Sequence, residues 1–408
     1  MRLSKIKLFD REITKQEKRF FFLVGLVWAQ YPLLHFFEAT VARVTGPEIA
    51  SALLIVLWMI AIVGAYAEFA QKMSGNNILF VVALFVLYIV NYVLFPQNVP
   101  ALNFNADLFL LSALPCFFIG AIFPAWKGLK FLYYLSLLCI LAQYLFSFVY
   151  GNNEAIAEEG NGNDQLAAAY LILPHVLIVA ANLIQKPDWI SGFFFFLGVL
   201  ILISFGSRGP IVCMILFVLI AIIYKMTSNK FGLGKMILFV LSCLVIVGLF
   251  NIFLDRIIDA IMASQNMSDR LVRKMVENQF LESEDRDDIR FLLFSKLDES
   301  PYWGYGIAGD RFFLGSPKSG YAHNLVVEVL FSYGYFLGGG ILFFIGYLIY
   351  KGLRYSTRFE KNFVFLLFTI GIVGLLFSGT YLTNKWFYFF LGYCMSIRKT
   401  NKGVIVEK

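Results

Sequence analysis

The chain is a succession of apolar runs of about twenty residues joined by short polar segments, and few folds can absorb such a pattern. A run of that length spans a hydrocarbon core of about 30 Å as a helix, which satisfies every backbone N–H and C=O internally. Twelve such segments are drawn: 20–37, 49–69, 77–95, 107–123, 131–150, 165–184, 190–206, 209–226, 236–254, 323–350, 363–379 and 386–397. The last is short and the tenth is long. Residues 323–334 read as a separate half-helix or surface turn before a span that starts near Tyr335. Composition agrees, with 15% charged residues against about 25% in soluble chains. The expected fold class is an all-α integral membrane protein of about 12 transmembrane helices, a single polytopic domain over residues 1–408.

The N-terminal stretch MRLSKIKLFDREITKQEKR is too long and too mixed in charge for a signal peptide, so the first apolar run is expected to remain as a span. All five cysteines (Cys116, Cys139, Cys213, Cys243 and Cys394) fall in apolar runs and imply no disulfide framework. Lysine and arginine set the orientation. With the N-terminus inside, the inner segments carry 22 of the 34 cations. Of the 12 outer ones, nine sit in one long loop, and Arg43, Arg208 and Lys385 make up the rest. Both termini are expected inside. The large loop, 255–322, is expected on the outer side.

That loop concentrates the polar chemistry. Ile289, Leu293 and Leu297 recur every four residues, the spacing of one helical face. Ser300-Pro301 ends the helix, and PYWGYGIAGD reads as an ordered turn. Arg208, in SFGSRGP, is either a side chain snorkelling from a hairpin or, held by Gly206, Gly209 and Pro210, a guanidinium aimed at phosphate. A solvated charged helix accounts for Arg290 and the acids of SEDRDDIR. His323 beside Asn324 is either part of a capping arrangement or a proton carrier near neutral pH. His35 and His175 lie in spans and read as packing or cavity residues. Glu328, five residues after His323, is expected to find its partner on another span. Gly338-Gly339-Gly340 reads as a site of close helix packing. No P-loop and no metal-ligand spacing is present, and no nucleic-acid partner is indicated.

Three elements, in order, resemble the O-antigen ligase and O-antigen polymerase superfamily, the WaaL- and Wzy-like membrane glycosyltransferases. They are Ser207-Arg208-Gly209 opening a span, Arg286-Asp287 beginning a loop helix that leads to Glu299-Ser300-Pro301 and Gly304-Tyr305-Gly306, and His323-Asn324 ahead of Gly334. The resemblance covers roughly residues 160–350 and implies a GT-C-like layout in a bacterial inner membrane. It implies a metal-independent, inverting glycosyl transfer at the outer face, without cofactor. The donor would be a glycan on undecaprenyl pyrophosphate, the acceptor a glycan or lipid, with a flippase and a chain-length regulator as partners. Arg208 and Arg286 would hold the pyrophosphate, and His323 would position or deprotonate the acceptor hydroxyl. Ser207, Asn324, Arg290 and Tyr305 are the expected substrate-binding residues. A polymerase is the leading reading, a ligase the nearest alternative, and a flippase or other transporter a distant one.

Overall fold

The computed structural model describes residues 15–29, 32–72, 74–146, 163–205, 207–228, 286–300, 302–315 and 320–397. The expected span 236–254 and the first part of the loop, 255–285, lie outside the described residues. Regular structure among the described residues is helical throughout.

The helices follow the apolar runs. In chain order they are α1 (Lys15–Trp28), α2 (Pro32–Thr45), α3 (Pro47–Lys72), α4 (Gly75–Leu94), α5 (Pro96–Ile122), α6 (Ala125–Tyr144), α7 (Asn163–Gln185), α8 (Trp189–Ser204) and α9 (Arg208–Ser228). The loop contributes α10 (Arg286–Leu297) and the short α11 (Gly309–Phe313). Then come α12 (Leu325–Tyr355), α13 (358–377) and α14 (Lys385–Ser396). Seven of them are long and apolar enough to cross a membrane, and two shorter apolar helices, Gly128–Tyr144 and Trp189–Ser204, accompany them. The chain is thus a multi-pass membrane protein that is all-helical over the described residues, with seven candidate spans among them where about twelve were expected of the whole chain.

Two boundaries and one helix interior differ from the expectation, each for a local reason. The run 20–37 is not one straight helix. Proline cannot donate to the preceding turn and its ring disfavours helical geometry just before it, so α1 gives way to α2 at Pro32, with Leu33 still donating to the Ala29 carbonyl at 3.1 Å. The run 107–123 begins earlier, at Pro96, since a proline is well tolerated in a helix's first turn. Within α5, Pro115 has no amide for the Leu111 carbonyl, and the turn before it widens to π geometry over Phe109–Ala113.

The core is aromatic. Trp28 meets Phe389 edge-on at 5.3 Å, and Phe123 stacks on Phe363 at 5.0 Å. α14 is buried almost along its whole length and packs against the second half of α5. Lys385, counted above as an outer-loop cation, is buried at the start of α14, with Nζ donating to the Val27 carbonyl at 3.2 Å. His175 is fully buried and bonded to Ser136 Oγ at 3.2 Å, in line with a packing role. The His35 side chain lies outside the described residues.

Candidate active site

The site is organised by a break in α12. Gly334 has φ 71° and ψ 176°, a region open almost only to glycine. A helical bond from residue i to i+4 needs the three residues between to be helical, so the Phe331 and Ser332 carbonyls are among those the break releases. They accept instead from the amides of Tyr305 and Gly306, both at 2.9 Å. Gly304, at φ 65°, allows this docking: a Cβ there would lie 2.5 Å from the Gly334 nitrogen and 2.6 Å from the Phe331 oxygen. The expected half-helix before Tyr335 is therefore present, as residues 325–333. Its partner half folds back on it, since a Cβ on Gly338 would lie 3.0 Å from the Val329 oxygen. Of the three consecutive glycines only Gly338 makes such an approach; Gly339 and Gly340 face open space.

The docked turn is held from its other side by α4 and the start of α5. Asn91 Oδ1 accepts the Ile307 amide at 2.6 Å, and Asn98 Nδ2 donates to the Tyr305 carbonyl at 2.8 Å. Gly304, Gly306 and Gly309 have the spacing of a dinucleotide-binding fingerprint. They follow a helix rather than a strand. The Gly306 amide donates to the Ser332 carbonyl of the half-helix, while those of Gly304 and Gly309 donate within the turn to the Ser300 and Gly306 carbonyls at 3.1 and 3.0 Å, so the spacing serves the turn and its docking. Leu293 and Leu297, on the expected apolar face of α10, pack against Ala322, Val327 and Phe331.

The expected site residues fall into distinct situations. Tyr305 stacks on Phe331 at 4.8 Å, meets Phe313 edge-on at 4.6 Å and donates its hydroxyl to the Lys296 carbonyl at 2.7 Å; its ring and hydroxyl hold the turn together. Arg286 is the first residue of α10, and its side chain lies outside the described residues. Arg290 is half-buried, one turn before Leu293. Arg208 is the first residue of α9 and is half-buried. Ser207 before it is buried, and its Oγ has no hydrogen-bond partner among the described residues. Pro210 fits the first turn of α9, where amides lack intrahelical acceptors. Gly209 lets α9 approach its neighbours: a Cβ there would strike the Tyr170 hydroxyl and lie 3.5 Å from Phe377 Cβ.

His323, like Ala308, is a non-glycine residue in left-handed geometry. Its φ is +52°, a left-handed conformation that costs a non-glycine residue about 1–2 kcal/mol. Asn324 follows as the helix cap, its Oδ1 accepting from Val326 at 3.0 Å and Val327 at 3.3 Å. Its Nδ2 donates to the Leu376 carbonyl at 3.2 Å. Both ends of the carboxamide are thus used in fixing the backbone beside His323. The starts of α9 and α12 converge here, because Gly209 lies by Phe377 and Asn324 binds Leu376.

Beneath His323 is a buried ionic cluster that the sequence reading did not single out. Arg311, 1% exposed, places Nη1 3.3 Å from Asp310 Oδ1 and 3.7 Å from Glu328 Oε1. Burial pushes the Asp310 carboxyl above the usual carboxylate range, while Arg311 and the Ala322 amide pull it down. Asp310 Oδ2 accepts that amide at 2.9 Å. Glu328 accepts from the Thr380 hydroxyl and, at 3.2 Å, from the Tyr381 amide. Its partners lie in the segment between α13 and α14 and, through Arg311, in α11, rather than on another span as expected. A charged pair inside the Gly- and Phe-rich stretch IAGDRFFLG was the available signal, since ionic residues in an ordered apolar turn are rarely solvated.

Chemically, a half-buried arginine and a histidine are brought to one corner where two helices begin, each presenting the positive end of its dipole. Residues 193–342 match the family model described as O-antigen ligase. The match contains Ser207-Arg208-Gly209, Arg286, His323-Asn324 and Gly334, and supports the O-antigen ligase and polymerase superfamily. No curated protein and no solved structure matched the chain.

Proposed function

We propose that this O-antigen ligase-type membrane protein is a glycosyltransferase that polymerises lipid-linked glycan repeat units. The donor is a glycan on undecaprenyl pyrophosphate, and transfer takes place at the outer face of a bacterial inner membrane with both termini inside. An acceptor hydroxyl attacks the anomeric carbon, the bond from that carbon to the pyrophosphate oxygen breaks, and the hydroxyl proton passes to His323. Undecaprenyl pyrophosphate leaves as an anion. Arg208 and Arg286 stabilise it, as positive charge aimed at leaving oxygens should, and the unpartnered Ser207 hydroxyl supplies a further donor. The reaction inverts the anomeric centre and draws on a sugar already activated on lipid, so the chain itself supplies binding, orientation and proton transfer.

One observation carries this reading: the convergence of the Arg208 and His323-Asn324 helix starts on Leu376-Phe377. A transporter would use a broken helix to coordinate its cargo with freed carbonyls. Here two of the carbonyls freed at Gly334, those of Phe331 and Ser332, are taken by the Tyr305 and Gly306 amides, which favours an enzyme. A second reading, ligase transfer of a finished glycan to a lipid or protein acceptor, is favoured by the description of the matching family model. Glycan profiling of a deletion strain separates the two. Loss of a polymerase leaves single capped repeat units on the acceptor. Loss of a ligase leaves the acceptor bare and lets lipid-linked chains accumulate.

A further inference from the structure

We propose that Arg311 is a positioning residue for His323, acting through the ring of Tyr321 and the amide of Ala322. The proposal rests on the reading of His323 as the proton acceptor. An imidazole takes a proton productively only when one ring nitrogen points along the hydroxyl's path, so something must fix both its backbone and its ring plane.

The structure provides for both. The Tyr321 and His323 rings lie 3.9 Å apart between centroids, at 38° to one another. The Arg311 guanidinium carbon lies 5.7 Å from the Tyr321 ring centroid, within cation–π range. The same guanidinium holds Asp310, and Asp310 holds the amide of Ala322, the residue before His323. Its contact with Glu328 reaches the half-helix that Asn324 caps, where the Glu328 amide donates to the Asn324 carbonyl at 2.9 Å. One buried cation thus connects the residues on both sides of a histidine held in left-handed geometry. A planar guanidinium suits the task, because it can lie over a ring while its edge meets carboxylates. A lysine ammonium could neutralise the carboxylates but has no planar face to hold Tyr321.

A purely structural Arg311 would only compensate buried carboxylates, and the two roles separate in kinetics. The experiment uses full-length protein in lipid nanodiscs and lipid-linked repeat units extracted from a strain lacking the protein. It measures kcat and KM for Tyr321→Phe, Tyr321→Leu, Arg311→Lys and both His323→Ala and His323→Gln. Tyr321→Phe should stay within about twofold of wild type. Tyr321→Leu and Arg311→Lys should lower kcat by roughly tenfold or more, with KM changed little, as for a group acting in the transition state. In a His323→Gln background Tyr321→Leu should add nothing, the non-additivity expected of coupled residues. Tyr321 is half-buried, so its variants test the idea even if Arg311→Lys does not fold. A Tyr321→Leu variant with wild-type kcat, or one whose effect persists undiminished beside His323→Gln, overturns the proposal. Full activity in His323→Ala instead removes the parent reading of His323.

Discussion

Asn324 donates its side-chain amide to the Leu376 carbonyl at 3.2 Å, so the start of α12 is tied to the end of α13 beside the start of α9. The same side chain caps α12 through Oδ1. The two functions can be separated. Asn324→Asp keeps the capping oxygen and loses the donor, so the protein should melt near wild type yet transfer glycan poorly. Asn324→Ala loses both and should also cost about 1 kcal/mol of stability. Thermal melting and glycan yield, measured together, check the pair; normal yield from Asn324→Asp would show that the tie to Leu376 has no part in function.

Gly334 is expected to be the least replaceable glycine of the site. A side chain at φ 71°, ψ 176° costs on the order of 1–3 kcal/mol, and any straightening of α12 would withdraw the carbonyls that hold Tyr305 and Gly306. Gly334→Ala should lower the melting temperature and abolish transfer, whereas Gly339→Ala, in open space, should do neither. Equal tolerance at both positions would mean that the break is dispensable.

Much of this was legible in the sequence. Apolar runs located most of the helices, since helix length and hydropathy are set by the bilayer. The half-helix ending at Gly334 followed from the length of the tenth apolar run, and the apolar face of α10 from periodicity. The ionic cluster did not, because Asp310 and Arg311 meet Glu328, Thr380 and Tyr381 only after the loop docks on the broken helix. Spacing along the chain carries no information about such long-range pairs. Nor did sequence separate substrate contacts from scaffolding at Tyr305 and Asn324, whose side chains are engaged with the protein's own backbone.

Arg208 should behave as a forked anion contact. Arg208→Lys should then be nearly as damaging as Arg208→Ala, because a point charge cannot reproduce two parallel hydrogen bonds. Protein level in the membrane has to be unchanged for the comparison to count. Full glycan production from Arg208→Ala would remove that residue from the site.

Topology is open to direct labelling. Single cysteines at positions 160 and 285 should react from outside, and those at 10, 230 and 356 only from inside. A cytoplasmic position 285 would contradict transfer at the outer face.

The central claim is that His323 works through its proton, and one rate measurement addresses it most directly. Neutral imidazole accepts a proton and imidazolium does not, with an unperturbed midpoint of about 6.5. Turnover of lipid-linked repeat units by the purified protein should therefore fall as pH drops through the imidazole range. His323→Gln, which keeps a hydrogen-bonding group but carries no proton, should lose at least about a hundredfold in rate while still binding donor. A His323→Gln variant with near-wild-type turnover would contradict the account and leave His323 as a group that only positions the acceptor.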